Sequence, residues 1–302
     1  TKKSHGVLRG SPEMKYAFIK DHRDEFDVAL MCEVLAASRS GFYDWLARDS
    51  NTKQARLEQL KIAMRAIFKK SRQTYGAPRM LKALIAMGYK IGKEKVAELM
   101  RELGFRAKAA KRFKAATTDS KHKYPVAGNK LNQDFHSKVP NIKWVGDVTF
   151  IDTAEGWLYL AAVLDLCTRK IVGWAMYEVN DRHLTIEALE MALKRQKVVS
   201  SLLFHSDRGS NYACHDFQGL LIDLGLEASM SRSGCCYDNA VMESFFHTLK
   251  VELVHHEKFA TKQQAKDVIF EWIEVFYNRE RLHSSLGYKT PVAFEEELML
   301  VG

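Results

Sequence analysis

Organised cysteine chemistry is the first thing this chain lacks. Its five cysteines, Cys32, Cys167, Cys214, Cys235 and Cys236, form no Cys-x-x-Cys pair and no Cys/His spacing suited to zinc. Cys235 and Cys236 are adjacent, a poor arrangement for a disulfide or a chelate, so free thiols in a reducing compartment are expected. Long apolar runs are missing as well. No segment is long enough to span a membrane, and no hydrophobic signal-peptide core opens the chain. Acidic residues are in the minority: 46 Lys and Arg stand against 37 Asp and Glu, a formal net charge of +9. Together these absences exclude a zinc-finger architecture, a disulfide scaffold and a membrane span, and they favour a polyanionic partner. Thr1 at the first position is what a trimmed or fused product would show.

What is present supports folded cores. Among 302 residues 46% are hydrophobic and 11% aromatic, enough for two or three compact units. The first hundred residues read as helices. Leu30, Met31, Val34 and Leu35 recur at helical spacing, and Ala37-Ser38-Arg39-Ser40-Gly41 breaks the pattern. Phe42, Trp45 and Leu46 then begin a second stripe that Ser38 would cap. A long amphipathic helix is expected from about Gln54 to Lys70. After Tyr75-Gly76-Ala77-Pro78-Arg79, Leu81, Leu84 and Ile85 form another apolar face, which Gly88-Tyr89-Lys90-Ile91-Gly92 interrupts. Val96, Leu99, Met100 and Leu103 resume it. Two helix-turn-helix-like units with basic second helices suit DNA, and their candidate contacts are Arg39, Arg79, Lys93 and Lys95. The first unit alone reads more readily as an ordinary helical hairpin, and it is the recurrence of the pattern that turns the reading toward DNA.

Residues 105 to 138 carry Arg106, Lys108, Lys111, Arg112, Lys114, Lys121 and Lys123 with little apolar periodicity. Such a run is either a solvated linker or a track for a phosphate backbone. From Lys143 the period changes. Trp144–Ile151, Trp157–Leu164 and Lys170–Tyr177 read as strands in a meander. A helix over His183–Lys197, a short strand at Leu202-Leu203-Phe204, a helix over Asp216–Leu224, a strand over Leu226–Ser231 and a helix over Asp238–Val254 follow. That alternation is α/β. A last helix near Thr261–Phe276 precedes a tail, containing Pro291, that reads as extended.

Three carboxylates sit at telling places in this order. Asp147 lies in the middle of a strand among Val145, Val148 and Phe150, where an unpaired charge is costly unless it faces water, a partner or a metal. Asp207 ends a strand and opens a turn at Gly209, where α/β folds place their chemistry, although an Asp-initiated turn is the plainer reading. Glu243 rides a helix that shows Val241, Phe245 and Leu249 to the core and Asn239, Glu243, Phe246 and Lys250 on the other side. Converging carboxylates are what a pair of hard divalent cations needs to clamp a phosphodiester.

On these motifs the chain resembles the transposases of bacterial insertion sequences in the retroviral-integrase-like DDE superfamily. More narrowly, it is similar to the long-reading-frame product of the group whose elements move through a circular intermediate. The likeness runs through Trp144–Ile151, Leu164–Trp174, His205–Tyr212, Ser229–Ala240, Glu243, Lys250 and Tyr277–Tyr288 with Pro291. Tyr75–Phe105 resembles the family's helix-turn-helix-like segment. The resemblance implies a ribonuclease-H-like catalytic core, a five-stranded mixed sheet flanked by helices, behind an all-α helix-turn-helix region. It implies two Mg²⁺ ions, with Mn²⁺ as a substitute, on Asp147, Asp207 and Glu243. Lys250 and Asn239 are implied to contact DNA near that site, Asp165 to be structural, and Asn211 stands where relatives often carry Gln. The coiled-coil heptads of the group's N-terminal frame are not evident.

The expected organisation is therefore 1–50 and 51–104 as helix-turn-helix-like regions and 105–138 as a basic linker. Residues 139–255 form the catalytic core and 256–302 a C-terminal helix and tail. The expected activity is nicking of transposon ends and 3′-hydroxyl strand transfer, with no covalent protein–DNA intermediate. Expected partners are the terminal inverted repeats and target DNA, met as a homo-oligomer in the bacterial cytoplasm beside the nucleoid, away from membranes. Three other readings stand beside this one. Ser206, Ser210, Tyr212 and Tyr237 invite a serine or tyrosine recombinase, the helical units invite a DNA-binding regulator with an inactive core, and the fold also serves nucleases that cut RNA in hybrids.

Overall fold

The computed structural model describes residues 10–108, 124–198 and 201–301. The chain divides into two compact units, 1–66 and 67–302. In the first, α1 (Pro12–His22), α2 (Val28–Val34) and the start of α3 (Arg39–Lys70) enclose Ile19, Met31, Cys32, Leu35 and Phe42. Asp27 caps α2 by accepting from the N–H groups of Ala29 and Leu30, and Ser38 Oγ accepts from Gly41 N at 3.1 Å. Two sequence expectations need correction here. The helix expected from Gln54 is continuous with the one that Ser38 starts, because no Gly or Pro interrupts residues 42–70. Leu30 and Val34 face out, at 55% and 64% exposure, so only Met31 and Leu35 of that stripe enter the core.

In the second unit, α4 (Ala77–Ala86) and α5 (Lys93–Glu102) pack on each other through Met80, Leu84, Val96, Leu99 and Met100. Ile85, expected on that face, is half exposed. The remainder is a mixed sheet in the order β3-β2-β1-β4-β5. Strands β1 (Lys143–Thr153), β2 (Gly156–Asp165) and β3 (Ile171–Tyr177) form an antiparallel meander. Strands β4 (Leu203–Ser206) and β5 (Glu227–Met230) then add in parallel beside β1. Helices α6 (Arg182–Arg195), the short α7 (Ser210–Ala213) and α8 (His215–Asp223) cover one face. Helices α9 (Ala240–Glu252) and α10 (Lys262–Glu271) cover the other. With both faces buried, β2 reads as a nearly continuous apolar run. This is the ribonuclease-H-like α/β architecture expected from the sequence, with its all-α helix-turn-helix-like region ahead of it.

The approach of α6 to the sheet depends on one residue. A Cβ at Gly173 would lie 2.1 Å from the Ala188 carbonyl oxygen and 2.7 Å from the Ala192 nitrogen. Both are helix backbone atoms, so a methyl group there has to push α6 off β3. Gly173→Ala is expected to destabilise the second unit by about 3 kcal/mol, the upper end of the usual cost of overpacking. Thermal unfolding checks this against Gly219→Ala in α8, where a Cβ meets nothing within 4 Å. That control should be neutral or slightly stabilising.

The end of the chain also differs from its sequence reading. The helix expected to stop near Phe276 gives way at Trp272 to a π-helix that runs to Glu280. The wider winding brings the Asn278 carboxamide onto the edge of β3, where Oδ1 accepts from Ile171 N and Nδ2 donates to Ile171 O, both at 3.0 Å. The tail that reads as extended is helix α11 (Pro291–Val301), with Pro at its first position and Thr290 Oγ1 accepting from Ala293 N.

Candidate active site

The parallel pairing of β1 with β4 places the first two carboxylates side by side. Val145 is level with His205, so Asp147 and Asp207, each two residues further on, emerge at the same height from neighbouring strands. Asp147 shares the parity of Val145, on the face that α9 covers. Glu243 lies in the first turn of α9. The helix start is tied to β1 beside Asp147, because Asn239 Nδ2 donates to the Gly146 carbonyl at 3.3 Å. Gly146 allows this crowding, since a Cβ there would be 2.7 Å from Phe204 Cζ and 3.3 Å from the Tyr212 hydroxyl.

The three carboxylates are close enough for Asp207 and Glu243 both to act on Asp147. The Asp147 carboxyl is pushed well above the usual carboxylate range, first by burial, then by the negative charge of Asp207 and, more weakly, by Glu243. The Val148 N–H, 2.8 Å from Asp147 Oδ1, and the Lys250 ammonium oppose the rise without cancelling it. Burial also raises the Glu243 carboxyl. Asp207 Oδ1 accepts from Gly209 N at 2.8 Å, forming the turn that opens after β4. Lys250 lies over the Phe150 ring at 4.7 Å, and burial lowers its ammonium while Asp147 works against that lowering.

A divalent cation fits this donor set. The ligands are all oxygen and all anionic, and a 2+ charge would turn the repulsion that raises Asp147 into attraction. Among the described residues no three His, Cys, Asp or Glu side chains are arranged so that they could hold a metal ion as they stand. Two of the carboxylates are instead turned onto neighbouring backbone amides. Asp165, the other strand-end carboxylate, has no capacity to spare. Its oxygens accept from Asn141 N, Thr168 N and Thr168 Oγ1 and fasten the turn between β2 and β3.

The candidate nucleophiles separate by burial. Ser206 is 2% exposed and donates to the Asp207 carbonyl. Tyr212 is 3% exposed, and its hydroxyl is pushed well up by burial and by Asp147 and Asp207. Neither can reach a phosphodiester. Ser210 and Tyr237 are exposed. His205 is held neutral between the Ser229 and Ser231 hydroxyls, its pKa lowered to about 4 mainly by burial, and it packs rather than reacts.

The DNA-contact candidates divide too. Arg39, Lys93, Lys95 and Arg106 are exposed, with Lys95 also 2.7 Å from Glu98. Lys111, Arg112 and Lys114 lie outside the described residues. Arg79 departs from the sequence reading: it is largely buried, 3.6 Å from Glu252 and over the Tyr75 ring. Lys108 donates to the Glu252 carbonyl at 3.1 Å, and Asn239 is 5% exposed and faces β1. Arg79 and Lys108 are thus part-buried and engaged with Glu252, and Asn239 is buried against β1.

Sequence reasoning missed the residue that shapes the loop before Glu243. Asp238 is fully buried and accepts from Arg232 N, Nε and Nη2 at 2.9, 3.0 and 2.8 Å. Gln133 and Asn129 donate to it as well, both at 2.8 Å. Arg232 and these hydrogen bonds hold its carboxyl far below the usual range. Only Arg232, six residues upstream, was a signal visible in the sequence; the two amides come from a distant segment.

Comparison with known proteins is consistent with this geometry. Models described as "Integrase core domain" match residues 137–236 and 224–291, and one described as "HTH-like domain" matches residues 55–113. The chain is 43% identical over 286 residues to the transposase InsF for insertion sequence IS3A of Escherichia coli strain K12, across 94% of this chain and 99% of that protein. It is 45% identical over 267 residues to an uncharacterized 31 kDa protein of insertion element IS600 from Shigella sonnei, across 88% of this chain and 98% of that one. Among solved structures it is similar to the simian T-cell lymphotropic virus intasome at 14% identity, covering 71% of this chain and 69% of that one, with a TM-score of 0.46. For the HTLV-2 integrase catalytic core the identity is 15%, the coverage 53% and 99%, and the TM-score 0.41.

Proposed function

We propose that this chain, which belongs to the insertion-sequence transposase family of the InsF proteins, cuts and joins DNA at Asp147, Asp207 and Glu243. As a DNA transposase it is a polynucleotidyl transferase of the integrase type. The observation that supports this site is the placing of Asp147 and Asp207 at one height on neighbouring parallel strands, with the charges of Asp207 and Glu243 both raising the buried Asp147 carboxyl. A DNA-binding regulator with an inert core has no use for charges that oppose one another at a strand end. Asp147, Asp207 and Glu243 would hold two Mg²⁺ ions, or Mn²⁺, which when bound supply activation of the attacking oxygen and neutralisation of charge on the leaving oxygen.

The chain's own residues do the rest. Lys250, fixed over Phe150, offers its ammonium to a phosphate beside the carboxylates. Asn239 holds the start of α9 to β1, so Glu243 approaches Asp147 from a defined side. Water as nucleophile leaves a nick at the transposon end, and a 3′-hydroxyl gives strand transfer. In each case the new P–O bond forms in line as the bond to the leaving 3′-oxygen breaks. No protein hydroxyl takes part, in keeping with the burial of Ser206 and Tyr212.

Arg39, Lys93, Lys95 and Arg106 are assigned to duplex phosphates of the terminal repeats and target. The helical regions 1–50 and 51–104 and the linker 105–138 serve recognition, the core 139–255 serves chemistry, and 256–302 buttresses it. Two chains or more, each with an end, would pair in the bacterial cytoplasm beside the nucleoid. The test uses a strand-labelled duplex carrying the element's terminal repeat. With Mg²⁺ the protein should nick one strand and join its 3′ end to a target, and a chelator should stop both. Equal products in the chelator, or bound DNA that is never nicked, would contradict the assignment.

A further inference from the structure

Behind the helix that carries Glu243 lies a pocket of about 240 Å³. Val241, Ser244, Phe245 and Thr248, at i, i+3, i+4 and i+7, form the side of α9 that lines it. Glu243 and Lys250 stand on the other side of the same helix, so the pocket is separate from the carboxylate site. Across from α9 it is lined by Arg169, in the turn after β2, and by His283 and Ser285, beyond the π-helix. The turn is held firmly. Arg169 sits in the left-handed region at φ 58°, its carbonyl accepts from the Tyr277 hydroxyl at 3.1 Å, and its Nη2 donates to the Phe135 carbonyl at 3.1 Å. His283 Nδ1 and Ser285 Oγ are 2.8 Å apart. Ser244 and Ser285 are exposed, which places two hydroxyls where the pocket opens.

None of the ten residues that line the pocket is acidic. The field around it is positive: burial, and then the charges of Arg281, Arg169 and Arg79, hold the His283 imidazole neutral, its pKa lowered to about 4. The carboxylates nearby are already engaged. Glu252 is shared by Arg281 and Arg79, and Asp165 accepts from Asn141 and Thr168. Arg169 is therefore a part-buried cation whose pocket offers it hydroxyls and no carboxylate. A guanidinium fork beside hydroxyls is the chemistry that takes the oxygens of a phosphate. The volume lies below the roughly 300–1,000 Å³ of pockets for drug-sized ligands, which suits one small anion. We propose that this pocket binds a free, phosphate-type anion, with Arg169 and the Ser244 and Ser285 hydroxyls on its oxygens. Bound there, the anion would tie α9 to the turn after β2 and to the segment after the π-helix, from the side away from Glu243. It would brace the helix and take no part in the chemistry, and its presence does not depend on the transposase reading.

Equilibrium dialysis of the full chain against radiolabelled inorganic phosphate, at fixed ionic strength and without divalent metal, reads the binding directly. The native chain should bind phosphate saturably, and duplex DNA should not displace it. Arg169→Gln should weaken binding by roughly 10- to 150-fold, the worth of hydrogen bonds to a charged group. Ser244→Leu, which keeps a good helix former on α9 and fills the opening, should abolish it. Lys250→Gln, on the carboxylate side of the helix, should leave it unchanged. Loss of binding in Lys250→Gln with Arg169→Gln unaffected would move the anion to the carboxylate side and overturn the proposal. No saturable binding by the native chain would also overturn it, and so would displacement by duplex, which assigns the pocket to a phosphate of the DNA. Circular dichroism melts keep folding and binding apart. A Ser244→Leu chain that melts like the native one and still binds phosphate normally would contradict the assignment, whatever Arg169→Gln does.

Discussion

Glu243→Gln and Asp147→Asn each reduce strand joining by roughly 10³-fold or more, while binding of terminal DNA persists. The size follows from the number of charges involved. Removing one of three carboxylates takes away both a ligand and the negative charge that would hold a divalent pair, and metal-assisted phosphoryl transfer derives several kcal/mol of barrier reduction from that pair. Asp147→Asn carries a second signature. The Asp147 carboxyl is raised by burial and by the charge of Asp207, so without metal the folded chain resists its ionisation more than the unfolded chain does. The sign follows from linkage: the native state holds its proton to higher pH than the unfolded state, so ionisation above the unfolded value costs stability. The neutral amide removes that cost. The metal-free variant should melt at least as high as the native chain, and it should gain less from added Mg²⁺. A variant that loses joining because it unfolds would melt lower, and one that joins normally would remove Asp147 from the chemistry.

The second large effect is on folding. Arg281 and Glu252 are 5% and 6% exposed and joined by two hydrogen bonds of 2.8 and 2.7 Å, with Arg79 at 3.6 Å. Tyr75 closes the cluster by donating to the Glu280 carbonyl and accepting from Leu282 N. The group ties the start of α4 to the last turn of α9 and to the end of the π-helix. Arg281→Met should destabilise the second unit by about 3–5 kcal/mol, because it strands a buried carboxylate whose remaining cation is further away. Joining Glu252→Leu to it should restore part of that loss, since two apolar side chains leave no orphan charge on this pair. Chemical denaturation measures both. A neutral single variant would show that water reaches Glu252 and that the cluster holds little together.

How far the sequence disclosed these features depended on the range of the forces involved. The strands β1 to β3 were legible because runs rich in Val, Ile, Leu and aromatics between short turns are local signals, and Ser38 and Pro291 mark helix starts in the same way. Pro291 was nonetheless misread, since a proline after a run of turn residues suits an extended tail as well as a first helical turn. Leu30, Val34 and Ile85 fit a helical stripe but face water, because periodicity names a face without saying how wide a face its neighbours cover. The carboxylate trio was legible through motif spacing and resemblance, while its convergence depends on the β1–β4 register. Arg79 looked like a DNA contact because its carboxylate partner lies far along the chain in α9. The Asp238 network and the π-helix were hidden for that same reason: both depend on partners that only the folded chain brings together.

The most direct test of the whole account is the stereochemistry of joining at a phosphorothioate of known configuration. Attack by a 3′-hydroxyl in line, with no enzyme-bound DNA between, predicts inversion at phosphorus in the joined product. Retention would require two displacements through a covalent protein–DNA link, and it would transfer the chemistry from Asp147, Asp207 and Glu243 to a hydroxyl such as that of Tyr237.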